Sequence, residues 1–340
     1  MKRHSGKRMS LIKSIVMVYL ICSLPLSVFS ADHAVSEPVD SENSVEMHGD
    51  TEGSTETAHG EDHSEHHGLP PNAVQVFEFS PVPGIGPLII TNSMIVTWIV
   101  AFFLIIFAQI ATRKIEKVPS GIQNFWEWLV EGLYDFLEAI IGNELMKKTF
   151  WFFATLFIFI LSCNWFGLIP GVGTIGWGIA SPSGGFTVTE PFFRGANADL
   201  NMTLGMSLIF FACWTVWALQ SNGPKGFFLH IFGPKGDTKG ALKILMIGVF
   251  AIVGLLEVIS ILFRPVSLSF RLYGNVYAGE NMLESMAVIS SSPIWSVLIP
   301  IPFYFLEVLV GLVQAMVFML LTAVFTLLIC QHEEGHEAQH

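Results

Sequence analysis

The sequence predicts an all-α polytopic membrane protein: five transmembrane segments plus a cytoplasmic-side amphipathic helix, the last two segments long and strongly tilted. Three observations predict it. Apolar residues make up 52% of the 340-residue chain and charged residues only 13%, against about a quarter in soluble domains. The formal charge of −11 is confined: eleven of the 28 acids lie between Asp32 and Glu65, and the remaining 17 match the 17 Lys and Arg. Drawn as five spans, the chain puts every lysine-rich connection on one side, as the positive-inside rule requires.

The first segment, 1–30, reads as a signal peptide. Lys2, Arg3, Lys7, Arg8 and Lys13 precede an apolar run to Phe29, and Val28-Phe29-Ser30 before Ala31 fits a small-residue cleavage site. A retained first helix is the alternative. Residues 31–84 form an acidic, His-rich tail, expected to be disordered and extracytoplasmic. Its stretch 32–68 is mostly Glu, Asp, His, Ser, Thr and Gly and cannot bury a core. His63, His66 and His67 with nearby carboxylates can chelate a metal or sense pH. Because they lack a fixed spacing, the tail reads instead as a solvated acidic extension, and no metal ligand is assigned.

The membrane domain spans 85–332. A first span at about 88–110 is followed by Arg113, Lys114 and Lys117, which mark a cytoplasmic end. Residues 120–146 read as the amphipathic helix. Phe125, Trp126, Leu129, Leu133, Phe136, Leu137, Ile140 and Ile141 recur at helical spacing, while Gln123, Glu127, Glu131, Asp135 and Glu138 fill the other face. That acidic face suits a protein partner better than anionic lipid. Lys147 and Lys148 open a second span, about 149–170, and an outer loop runs to 199. The third span is about 200–220, and Lys225, Lys235, Lys239 and Lys243 make the next loop cytoplasmic. The last two segments, about 244–288 and 294–330, run to roughly twice the 20 residues that cross a bilayer, so they tilt. Pro265, Pro300 and Pro302 offer places to bend. Residues 333–340 form a polar cytoplasmic tail, which leaves the N-terminus outside.

Cys22, Cys163, Cys213 and Cys330 stand apart in apolar runs and read as small hydrophobes. No nucleotide-binding loop or catalytic nucleophile signature appears, so the chain is not expected to be an enzyme by itself.

Chemistry concentrates in the last two segments. Arg271 stands in apolar helix, and a guanidinium there cannot shed its charge. An Arg at the bilayer centre costs from roughly 2.5 to above 10 kcal/mol, so it must face protein or water. Glu257 precedes it by fourteen residues, on nearly the same helix face. Asn275 lies one turn beyond it, and Glu280 and Glu284 follow. Glu307 and Gln314, seven apart, share a face of the last segment. Such groups either lock helices together or relay ions. Six of them, Glu257, Arg271, Asn275, Glu280, Glu307 and Gln314, together read as a path. Arg264 snorkels to an interface or anchors its helix.

The run Pro265-Val266-Ser267-Leu268-Ser269-Phe270-Arg271-Leu272-Tyr273-Gly274-Asn275-Val276-Tyr277-Ala278-Gly279-Glu280 resembles the signature of the F-type ATP synthase subunit a family. Gln314–Leu321 resembles it as strongly, and Ala198–Leu204 is similar to the start of the family's third span. The match covers about 85–332. The resemblance implies a proton-channel stator subunit in the cell inner membrane, partnered by the c-ring, the peripheral-stalk b subunits and lipid, with no nucleic acid and no cofactor. It implies that Arg271 faces the c-ring carboxylates. Asn275, Glu280 and Gln314 then belong to an outer half-channel, and Glu257 lies near a cytoplasmic one. Glu307 falls where several bacterial members have His, and mitochondrial members pair Glu there with His in place of Glu280. This chain has Glu at both positions, and two carboxylates can share a proton. The alternatives are a free-standing secondary transporter of a small anion with Arg271 as its ligand, and a metal sensor that uses the histidine tail.

Overall fold

In the computed structural model, residues 75–82, 86–113, 115–116, 118–172, 175–180, 186–232, 241–289 and 292–330 are described. The expected signal peptide, the histidine-bearing stretch of the tail and the segment 333–340 lie outside them. Two antiparallel hairpins and a helical bundle make up the rest. Strands β1 (Gln75–Val82) and β2 (Gly86–Thr91) pair with Glu78 opposite Ile89. Helices α1 (Asn92–Arg113), α2 (Ile122–Ile141) and α3 (Asn143–Gly167) follow. Strands β3 (Gly176–Ala180) and β4 (Phe186–Pro191) form the second hairpin. After a short 3-10 turn at Ala196–Ala198 come α4 (Leu200–Phe232), α5 (Ala241–Val288), α6 (Pro293–Leu298) and α7 (Pro300–Cys330). Five segments among the described residues are long and apolar enough to cross a membrane.

The structure moves several boundaries. Strands β1 and β2 straddle the limit drawn at 84/85, so the last part of the expected disordered tail is paired strand and the first helix starts at Asn92 instead of 88. Apolarity alone counted 88–91 into the span, but the run satisfies its backbone groups across a hairpin. The amphipathic helix stops at Ile141 because Gly142 takes a positive φ of 76°, a conformation a side chain resists. Residues 143–146 therefore open α3, six residues before the expected span. The outer loop 171–199 carries the β3–β4 hairpin. Helix α4 is broken at Gly223 (φ 67°), next to Pro224, close to the expected end of the third span at 220.

Helix α3 is the core of the bundle. Its run Phe152–Ile160 is buried on every side, as expected of a helix apolar all round and enclosed by others. Helix α5 is the opposite case. Its 48 residues span about 72 Å at 1.5 Å per residue, far more than the roughly 30 Å of hydrocarbon, so it lies strongly tilted. Ile261, Pro265, Leu268, Leu272, Val276, Gly279 and Leu283 form its buried stripe, with steps of three and four. Ile252, Leu256, Ile259, Phe263, Val266 and Phe270 face outward.

Helix α5 runs antiparallel to α4 and α7. Thr203 and Ser269 hydroxyls meet at 3.1 Å. At Gly254 a Cβ would lie 2.6 Å from the Ile231 carbonyl oxygen, so only glycine permits that approach. Polar side chains bind the other helices to α7. Asn164 donates to Gly311 O (2.9 Å), Trp165 to Val308 O (3.2 Å), Trp214 to Phe325 O (3.1 Å) and Asn222 to Ile329 O (2.8 Å). Where no hydrophobic difference between lipid and side chain drives association, such bonds and close packing hold helices together.

Candidate functional site

The six polar residues singled out in the sequence occupy three levels along α5 and α7. At the end of the bundle that bears the β3–β4 hairpin, Glu280 and Glu307 come together. Glu307 is buried, and its carboxylate lies so close to Gly279 that a Cβ there would collide with it. Glu280, the next residue, turns to the loop. It accepts a hydrogen bond from the Gly195 N–H, and a Cβ on Gly195 would strike its Oε1. Each carboxylate is thus seated on a glycine of a neighbouring segment. Glu280 Oε2 accepts no hydrogen bond among the described residues, which leaves lone pairs for a proton.

Arg194 completes this level. Only 4% of its side chain is exposed, and its Nε lies 3.8 Å from Glu280 Oε2. Its guanidinium carbon is 5.8 Å from the centre of the Tyr277 ring, which stacks on Tyr273 at 5.5 Å. The loop that delivers Arg194 is itself fixed. Asn197 donates to Asn164 Oδ1 (2.6 Å), and Asp199 accepts from Ser93 Oγ (2.6 Å) and from the Asn201 N–H (2.9 Å). Asp199 is therefore the cap of α4 and also its tie to α1. In the sequence Arg194 counts only as one of three charges in an outer loop. The available signal is its setting, an arginine six residues before the start of a span, followed by Gly, Ala and Asn.

The middle level holds Arg271, Asn275 and Gln314. Helix α7 meets α5 at Glu307 beside Gly279 and at Phe325, whose ring lies 4.5 Å from the Arg264 guanidinium carbon. Between those contacts Gln314 falls level with the turn from Arg271 to Asn275. Asn275 and Gln314 are half-buried. Arg271 is exposed and forms no hydrogen bond or ion pair with any described residue. Its place follows from Ser269, buried against Thr203. Two residues further is about 200° around the helix, which turns Arg271 outward.

The third level is Glu257 with Arg264, seven residues apart and hence two turns along one face. The sequence links Glu257 with Arg271, but the cation whose charge it feels is Arg264, midway between them in the chain. Arg264 is held over the rings of Phe325 (4.5 Å) and Trp214 (5.9 Å), the anchoring role open to it from the sequence. Among the described residues no group of three or more His, Cys, Asp or Glu is placed to hold a metal ion.

Chemically, the levels make a discontinuous series. Two neighbouring carboxylates lie at one end, a cation with no ion-pair partner among the described residues faces outward about 14 Å along the helix from Glu280, and Glu257 and Arg264, two turns apart, lie beyond it. The middle level offers only a fixed cation and two amides, none of which exchanges a proton as a carboxylate does.

Comparison with known proteins addresses the chain as a whole. The family model described as ATP synthase A chain matches residues 94–326. A protein named ATP synthase subunit a from Chlorobium phaeobacteroides is 32% identical over 317 residues, 86% of this chain and 84% of that one. Those of the same name from Gloeobacter violaceus and Moorella thermoacetica are 31% and 30% identical, covering 75% and 77% of this chain and 89% and 97% of theirs.

Proposed function

The chain belongs to the ATP synthase A chain family and acts as the proton-translocating stator subunit of an F-type ATP synthase. On that premise we propose that Arg271 is its working charge and that the three levels of polar residues are its proton path. The observation that carries the reading is the exposure of Arg271. A guanidinium on an apolar, outward-facing helix surface needs an acid from outside the chain. A c-ring whose subunits each bring one mid-membrane carboxylate supplies it, and the α5 face from Ile252 to Phe270 is the surface against which the ring turns.

In this reading the β3–β4 end faces outside and the Glu257 end faces the cytoplasm, in accord with the lysines that follow α4. The chain is a multi-pass protein of the inner membrane, with its N-terminus outside and its C-terminus cytoplasmic. A proton entering from outside reaches Glu280 and Glu307, then Asn275 and Gln314, and protonates a ring carboxylate. The neutral acid can enter lipid, and the ring turns. An incoming acid gives up its proton toward Glu257, meets Arg271 and is held as a carboxylate by the fixed cation. Arg271 also closes the direct route between the half-channels. Each charge that crosses is driven by about 2.3 kcal/mol per 100 mV. The chain makes no ATP itself; a soluble head turned by the ring does. The acidic face of α2 suits the peripheral-stalk b subunits.

A free-standing anion transporter would aim its ligand arginine into the bundle, whereas Arg271 is aimed out of it. The test is ATP-driven proton pumping in inverted vesicles with Arg271→Gln, with c-ring co-purification as the check on assembly. An assembled complex that no longer pumps supports the reading, and one that still pumps overturns it.

A further inference from the structure

We propose that Arg194 is a second functional arginine: a positioning residue that sets the charge balance of the outer carboxylates Glu280 and Glu307, so that the outer path loads and releases protons in the working pH range. The inference rests on the proton path proposed above and adds a residue to it that lies outside both long helices.

The geometry carries it. Glu280, an α5 residue, and Glu307, seated on the adjacent Gly279, repel each other when both are charged. Arg194 supplies one fixed positive charge 3.8 Å from Glu280 Oε2, in a place 4% exposed. The separation exceeds a direct hydrogen bond, so the cation acts on the carboxylate by charge while Oε2 stays open to a proton. The groups that face this site are Arg194 and Asp199 from the loop, Glu307 from α7, and Tyr273, Tyr277 and Glu284 from α5 itself. Arg194 is the one cation among them. The surrounding build agrees with a placed charge: the loop is pinned at Asn197 and Asp199, and Gly195 makes room for the carboxylate. An arginine needed only to fold the loop would not require a glycine next to it that admits an acid from another helix.

Without the cation, Glu280, which also feels the charge of Glu307, keeps its proton to higher pH, because an opposite charge at this range is worth one or more pH units. The experiment is ATP synthesis by the whole complex in proteoliposomes with the β3–β4 end facing the lumen. Lumenal pH is varied at fixed external pH and membrane potential. Arg194→Gln is expected to slow synthesis about tenfold at neutral pH and to move the lumenal pH of half-maximal rate upward by about one unit. Arg194→Lys, which keeps the charge, is expected to hold the native midpoint. An assembled Arg194→Gln complex whose midpoint does not move overturns the proposal, however slow it is. If Arg194→Gln does not assemble, the double variant Arg194→Gln, Glu280→Gln decides. Recovery of assembly shows that the unpaired acid was the fault and supports the charge role, and failure of both makes Arg194 a structural residue. Arg271→Gln in the same preparation separates the two readings. If it abolishes synthesis while Arg194→Gln leaves the pH profile untouched, only the present inference falls; if Arg271→Gln still works, the motor reading falls.

Discussion

Arg271 and Arg194 confront the same difficulty, a permanent charge in a molecule built for lipid, and the chain treats them in opposite ways. Arg194 is enclosed. It has an acid at 3.8 Å, a tyrosine ring beneath it and a loop pinned by two side-chain networks. Arg271 is left outside on the face of α5 that packs on nothing described here. In the proposed reading, the difference separates a charge that the chain completes by itself from one that is complete only in an assembly. It also separates two kinds of helix. Helix α3 is buried around its whole girth at Phe152–Ile160, whereas α5 is buried along a single stripe, so on the proposed reading the second is the surface offered to the ring.

The comparison breaks most plainly at Arg271. Arg271→Ala removes no hydrogen bond or ion pair with any described residue, so the complex is expected to assemble with its melting temperature unchanged while ATP-driven pumping falls by more than about a hundredfold, given the several kcal/mol such a charge commands in lipid. Loss of assembly together with pumping would mean that Arg271 is structural. Next in size are the glycine seats. Gly279→Ala places a methyl on the Glu307 carboxylate, and Gly195→Ala does the same to Glu280. The acids must swing off the path, and proton conduction through the membrane sector stripped of its head is expected to drop about tenfold or more. Gly274→Ala, one and a half turns away with nothing within 4 Å of a new Cβ, is the control for helix flexibility and is expected to conduct normally.

A smaller effect belongs to the scaffold behind the acids. Asn164→Leu removes the donor to Gly311 O and the acceptor for Asn197. A buried amide left without its partner costs about 1–3 kcal/mol. The detergent-solubilised complex is therefore expected to melt a few degrees lower, with pumping at low temperature retained. A fall in pumping with no change in melting would place Asn164 on the path instead of behind it.

These residues also mark what the sequence could tell. Arg271, Glu280 and Glu307 were legible because a charge in an apolar run is costly wherever the helix points. That they form separate levels was not, because periodicity along α5 gives the angle of a side chain but not the partner it meets. It joined Glu257 to Arg271 by helix face, whereas the structure sets Arg264 beside Glu257 and uncovers Arg271. Arg194, Asn164 and Asn197 were harder still. Nothing local distinguishes an arginine in a watery loop from one folded back onto a helix 86 residues later in the chain. The two hairpins escaped for a related reason, since short apolar runs beside spans satisfy hydropathy equally as helix or strand.

The smallest expected effect tests whether distance or burial gives an ion pair its weight. Lys147 and Glu144 approach to 2.8 Å, closer than Arg194 and Glu280, but their side chains are 52% and 85% exposed. In water both partners are solvated when apart, salt screens them, and holding two long side chains in one geometry costs entropy. Lys147→Ala is therefore expected to leave both the melting temperature and the pumping rate of the complex unchanged within error, while Arg194→Gln, at the longer separation, moves a pH profile. If Lys147→Ala proved as damaging as Arg194→Gln, burial would not be what distinguishes the two pairs. The lysine would then be acting through something beyond its partner on the first turn of α3.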